Sequence, residues 1–236
     1  DGTPFEINKT VIMVFVSVAI CFYMFIVGGR KKALIPATAQ SVAEIGYEFV
    51  QKNISEEIMG EDGRKWTPFL GTMFFFLFFV NIWSIIPPII YPATSRIAIP
   101  LVLSLVSYCI FIGVGFYKQG PLYILKAIFP PGVPKPVYIF IAPIEFISKF
   151  VVRPMSLAIR LFANMFAGHI LITLFTIMVA ELVAHKSGIY QVPLAIVPFL
   201  GLTFITIFEI LVAFLQAYIF TTLTAVYIAE SSSEEH

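Results

Sequence analysis

Arg160, His169, Glu209 and Gln216 are the residues whose types and surroundings could handle a proton inside a hydrophobic medium. Arg160 and His169 lie in Ser156-Leu157-Ala158-Ile159-Arg160-Leu161-Phe162-Ala163-Asn164-Met165-Phe166-Ala167-Gly168-His169, a run otherwise apolar enough to be embedded in a membrane. An ionised guanidinium at a bilayer centre costs at least about 2.5 to 3.5 kcal/mol on insertion scales, so it persists where something offsets that cost. A functional charge is the expected role. For a carboxyl beside an imidazole, desolvation and pairing act in opposite directions on proton affinity, so such a pair can hold or pass a proton near neutral pH. Intramembrane Glu and His chains are a recurring form of relay. For a lone membrane histidine the ordinary alternative is a helix-to-helix hydrogen bond.

Lys186-Ser187-Gly188 reads as a stop and reversal between two long apolar runs. Reflection of the chain about Gly188 places Arg160 opposite Gln216 and His169 opposite Glu209, two polar pairs in one antiparallel register. At about 100° per residue, Ser156, Ala163, Asn164 and Ala167 fall within about 60° of Arg160, a stripe of short side chains around one long cation. His169 lies about half a turn away, off that face. Small residues are also the usual contacts between membrane helices, which suffices to explain the alanines. No carboxylate of the chain shares the level of Arg160, so its counterion is expected from another chain. Glu145, about 22 Å of helix before Arg160, is a candidate for an exit path, with interfacial solvation as the alternative. Glu181 has a phase within about 60° of Arg160 and is a candidate for entry, or a wet helix terminus.

The elements that must position these residues follow from composition. Of 236 residues, 59% are hydrophobic and 12% charged, and the mean hydropathy is +0.93, which describes an all-α polytopic membrane protein. A net charge of +1 with dispersed Lys and Arg excludes a nucleic-acid tract. Cys21 and Cys109 sit in apolar runs and are expected to be small buried hydrophobes. Asp1, Glu6 and Lys9 do not form the basic region of a secretory signal, and the first apolar run is too long for one.

Crossing a core roughly 30 Å thick needs about 20 apolar residues. Val11 to Gly28, Trp66 to Tyr91 and Ile97 to Tyr117 are three such runs. After Pro130, Pro131, Pro134 and Pro136, apolar sequence resumes at Val137 and reaches Ala184, with breaks expected at Pro143 and Pro154. A last run covers Tyr190 to Ala229. A single membrane domain over 1–236 is expected, with about five crossings: an N-terminal span in 1–29, a helical hairpin in 66–118 and a long tilted hairpin in 137–229. Between them, 37–61 alternates Val42, Ile45, Phe49 and Ile58 with Glu44, Glu48, Glu56 and Glu57, the pattern of an amphipathic helix on the membrane surface, a soluble loop helix being the alternative. Pro154 to His185 makes about 48 Å of helix, and Pro198 to Ala229 a similar length, too long for upright spans, so steep tilt against a protein partner is expected. Arg30, Lys31 and Lys32, and then Lys118, Lys126 and Lys135, mark two cytoplasmic connections. Arg96 and Lys186 remain for the outer loops. The N-terminus is therefore expected outside and the C-terminus in the cytoplasm.

The stretch from Ser156 to His169 resembles the characteristic motif of subunit a of F-type ATP synthases, and Phe214-Leu215-Gln216-Ala217-Tyr218-Ile219-Phe220 resembles that family's final-helix motif. Asn81 with Pro87 and Pro88, and Ser233-Glu234-Glu235-His236, also fit its pattern. The resemblance implies a non-catalytic, proton-conducting stator subunit, without a cofactor, in a complex that makes ATP elsewhere. Its partners would be a ring of c subunits carrying membrane carboxylates, peripheral-stalk b-type subunits and other subunits of the synthase. A bacterial plasma membrane is the expected location. Arg160 falls on the family's essential arginine, Asn164 on the neighbouring asparagine and Gln216 on the glutamine opposite. Many bacterial members have glutamate where His169 stands and histidine where Glu209 stands, an exchange that preserves the pair.

Two other classes compete. A stand-alone secondary transporter or anion channel would use Arg160 as its substrate ligand, but should show pseudo-symmetric halves, and no convincing repeat is present. An intramembrane enzyme would need an aspartate pair, a His-Glu-x-x-His metal site or a glycine-rich phosphate loop, none of which occurs.

Overall fold

The computed structural model describes residues 9–30, 38–83, 85–86, 94, 96–121, 123–129, 137–184 and 194–232. All regular structure among them is helical. In chain order the helices are α1 (Lys9–Arg30), α2 (Thr38–Val50), α3 (Gly63–Ile82), α4 (Ala98–Gln119), α5 (Tyr123–Ile128), α6 (Tyr138–Ile147), α7 (Arg153–Ala184) and α8 (Ile196–Ser232). Four stretches are long and apolar enough to cross a membrane, 40–82, 98–119, 138–184 and 196–232, and a shorter apolar segment, Val11–Ile26, lies within α1. The chain is a polytopic all-α membrane protein. Lys31, Lys32, Pro87, Pro88, Pro130, Pro131, Pro134, Lys135, Pro136, His185, the reversal at Lys186-Ser187-Gly188 and the terminal Ser233-Glu234-Glu235-His236 lie outside the described residues.

The path from α2 to α3 is a tight return. A π-helical turn (Gln51–Glu56), one α turn (Glu57–Met59) and a 3-10 turn (Gly60–Asp62) lead from one helix to the other. Gly60 takes φ +60°, a conformation costly for a side chain bearing a Cβ. Ser55 donates to the Gly63 carbonyl, Thr67 Oγ1 lies 3.1 Å from Ser55 Oγ, and Arg64 pairs with Glu56 at 2.8 Å. α2 has three flanks. Gln40, Ala43 and Val50, continued by Ile54, are buried against the bundle; Val42 and Ile45 are exposed on an apolar flank; Glu44 and Glu48 are exposed on an acidic one. The inward face is thus not the one marked by Val42 and Ile45; of the apolar stripe, Phe49 and Ile58 reach the core, Phe49 against Phe74, Phe214 and Tyr218, while Val42 and Ile45 stay outside.

α3 is the central helix. Its Leu70, Met73, Phe74 and Leu77 join Leu157 and Leu161 of α7 and Ala217, Phe220 and Ala225 of α8 in one core. Ala213, Ala217 and Ala225 are fully buried, and their size lets α8 approach closely, as membrane helix packing requires. Polar side chains pair inside this bundle: between helices, Trp83 Nε1 next to the end of α3 donates to Ser17 of α1 at 2.8 Å and Thr224 to Ser107 at 3.3 Å, while Thr94, ahead of α4, donates to Asn81 at 2.9 Å. Cys21 is buried as expected; Cys109 is exposed, because it lies on the outward face of α4.

The breaks expected at Pro143 and Pro154 do not interrupt the helical path. Pro143 sits within α6, and a π turn (Ser148–Val152) leads directly into Arg153 and Pro154, the first two residues of α7. At a helix start the missing proline N–H has no intrahelical role, and a π turn lets the preceding carbonyls clear the ring. α7 and α8, with 32 and 37 residues, extend for about 48 and 56 Å. They pack on one another and on the bundle.

Candidate functional site

α7 has two unlike faces. Leu157, Leu161, Met165 and Ile172 recur at helical spacing and are buried, so this stripe fixes which side of the helix faces the bundle. Arg160, Ala163, Asn164 and Ala167 are consequently exposed on the other side, flanked by exposed Ile159 and Phe166. Among the described residues Arg160 makes no hydrogen bond or ion pair. The phenol of Tyr227 on α8 lies within its Coulombic range.

The register across the hairpin holds to within about one turn. Asn164 Nδ2 donates to Gln216 Oε1 at 2.9 Å, so Gln216, which is buried, meets the asparagine one turn beyond Arg160. Glu209 is only 3% exposed, and its carboxylate lies against Gly168, immediately before His169, where any Cβ would overlap it. His169 is half-buried; its Nδ1 is buried and makes no hydrogen bond among the described residues. The hairpin therefore joins Asn164 to Gln216 on one level and brings the Glu209 carboxylate to the histidine level about two turns away.

The remaining candidates lie apart from that group. Glu181 is exposed near the end of α7, about 18 Å of helix beyond His169. Glu145 is half-buried on α6 and pairs with Lys149 at 3.1 Å across the start of the π turn. Ser156, four residues before Arg160, is half-buried and donates to the Arg153 carbonyl at 3.1 Å, within the first turn of α7. Two contributors escaped the sequence reading. Gly168 is one; its mark was a glycine inside an apolar helix at the reflected position of Glu209. Lys149 is the other; its spacing of four from Glu145 was the available signal. Among the described residues no cluster of His, Cys, Asp or Glu could hold a metal ion.

The arrangement has two chemical parts: a fixed cation presented outward from an apolar helix, and a buried carboxylate packed against Gly168, one residue before His169. The first can hold an anionic group of another molecule, and the second can take up and release a proton. A profile of the ATP synthase A chain family matches residues 10–229. The chain is 40% identical over 227 residues to ATP synthase subunit a of Rhodococcus erythropolis, covering 95% of this chain and 82% of that protein. It is 37% identical over 233 residues to the subunit a of Streptomyces lividans, covering 97% and 81%, and 39% identical over 231 residues to that of Acidiphilium cryptum, covering 98% and 90%. A match that runs from α1 almost to the end of α8, through both parts of the site, means that the chain belongs to the ATP synthase A chain family.

Proposed function

We propose that this chain is the proton-translocating stator subunit of a rotary ATP synthase, without catalysis of its own, working against a ring of c subunits whose membrane carboxylates pass in front of Arg160. The observation that carries this reading is the placement of Arg160: exposed on a small-residue face of a membrane helix, with no ion-pair partner among the described residues. Facing hydrocarbon alone, the cation would cost several kcal/mol, roughly 2.5 or more, so a carboxylate from another chain is the group that completes it. A protonated ring carboxyl is neutral and can rotate into lipid, whereas the ionised form cannot do so cheaply. Arg160 holds the ionised form and, because a guanidinium keeps its proton in proteins, blocks direct passage between two half-channels.

Protons enter from the outer side past Glu181, His169 and Glu209, and leave towards the cytoplasm near Glu145. The N-terminus is outside and the C-terminus inside a bacterial plasma membrane. The apolar and acidic flanks of α2 suit a helix at the membrane-water boundary whose third flank rests on the bundle. Peripheral-stalk b-type subunits hold the stator in place.

In the reconstituted complex, Arg160→Ala should abolish ATP-driven proton pumping and open a passive leak; wild-type pumping by that variant overturns the reading. His169→Ala and Glu209→Ala should each slow proton flux, while His169→Glu combined with Glu209→His should do less harm than either exchange alone.

A further inference from the structure

We propose that Arg153 is a positioning residue for Arg160: it ties the first turn of α7 to the last turn of α8 and so fixes the height and rotation of the face that presents Arg160. This rests on the role given to Arg160 above. Arg153 pairs through Nη1 with Glu230 and lies over the Tyr227 ring, 4.8 Å from its centroid. Its side chain is 20% exposed, against 50% for Glu230, so the guanidinium is largely covered by protein. Arg suits this place because its planar group can stack on an aromatic face and pair with a carboxylate at once.

The contact has a mechanical setting. Neither α6 nor the π turn before Arg153 has any buried residue, and in α7 burial begins at Leu157. Packing therefore holds the chain ahead of Leu157 only lightly, through half-buried residues and contacts such as the Tyr138 ring on Phe129. Glu230, by contrast, stands on a fixed support. The next residue, Ser231, is buried, its hydroxyl 2.9 Å from the Tyr123 hydroxyl, and its carbonyl accepts from Gln119 Nε2 at 3.2 Å. The support thus runs from the α4–α5 turn through the end of α8 to Arg153. Seven residues separate Arg153 from Arg160, nearly two full turns, so the two lie about 20° apart in phase and about 10 Å apart along the helix. On the other side of Arg160, the Asn164–Gln216 hydrogen bond makes a second tie to α8. Arg160 is held between two side-chain ties, which would resist displacement of α7 by a ring moving across its face.

The test uses the complete synthase in liposomes, with Arg160 unchanged, and compares Arg153→Gln, Arg153→Lys, Glu230→Gln and the double exchange Arg153→Glu with Glu230→Arg. Protons pumped per ATP hydrolysed, passive leak and ring content are measured together. The two Gln variants should pump about three- to fivefold less per ATP, as for loss of a partly exposed ion pair, and leak more. Arg153→Lys should fall between, keeping the charge and losing the stacked plane. The double exchange should recover most of the coupling; a single variant that loses its ring and regains it in the double exchange supports the tie equally. Wild-type coupling in both Gln variants overturns the proposal, as does a double exchange no better than the singles. Arg160→Ala in parallel separates the two levels: if it is inactive while Arg153→Gln couples normally, only the positioning role falls.

Discussion

α3 and α7 are apolar helices of membrane length that treat their polar residues in opposite ways. Half of the most apolar window in 40–82 is buried, against 6% of that in 138–184. In α3, Thr67 and Asn81 point inward, where Thr67 bonds Ser55 and Asn81 accepts from Thr94. In α7, Arg160 and Asn164 are on the outside, among apolar residues. In lipid an exposed apolar face is unremarkable, since hydrocarbon solvates it as well as protein would. An exposed arginine in that face is not. The contrast separates a helix that completes a fold from one that is itself completed by another molecule.

Truncating the core should have the largest effect. Phe220 is almost fully buried, and Phe220→Ala should destabilise the solubilised protein by about 3–5 kcal/mol, read as a lower unfolding temperature. Leu211, exposed on α8, is the counterpart: Leu211→Ala should change stability by less than about 0.5 kcal/mol, and any loss should appear in ring association instead. Equal destabilisation by both would erase the distinction between inner and outer faces. Next in size, Gly168→Ala should displace the Glu209 carboxylate at a cost of about 1–3 kcal/mol and slow proton flux. Gly113→Ala sharpens the comparison, because nothing lies within 4 Å of the added methyl there and helix propensity alone should make it neutral or stabilising.

Much of this was readable from residue order. Apolar runs of membrane length, the antiparallel register about Gly188 and the outward stripe of Arg160, Ala163, Asn164 and Ala167 all depend on local period and hydropathy, which a single chain displays directly. Three points did not follow. The inward flank of α2 is chosen by the shape of the bundle: Val42 and Ile45 mark the exposed apolar flank expected of a surface helix, while the side that rests on the bundle, with Gln40 and Ala43, carries no apolar stripe to announce it. Helical continuity through Pro154 depends on a π turn, whose extra residue has no hydropathy mark. Gln216 meets Asn164 instead of Arg160 because a reflection about one glycine fixes register only to about a turn, while side-chain length decides the partner. Arg153 stands beside the expected break at Pro154 and Glu230 just past the last apolar run, and ends of helices ordinarily carry charge, so nothing in their order singled them out.

The smallest effect tests the hairpin most finely. Asn164 is exposed on the outward face, yet its amide reaches the buried Gln216, so this one hydrogen bond connects the two faces being compared. Hydrogen bonds between membrane helices average about 0.6 kcal/mol in double-mutant cycles, because the separated helices find other partners. A cycle of Asn164→Ala and Gln216→Ala should therefore give a stability coupling near that value. The coupling measured on proton pumping should be larger, since the bond sets the rotation of α7 one turn from Arg160 as well as adding to stability. If both couplings prove equal and small, the contact serves packing alone, and the orientation of Arg160 must come from the buried stripe of Leu157, Leu161 and Met165.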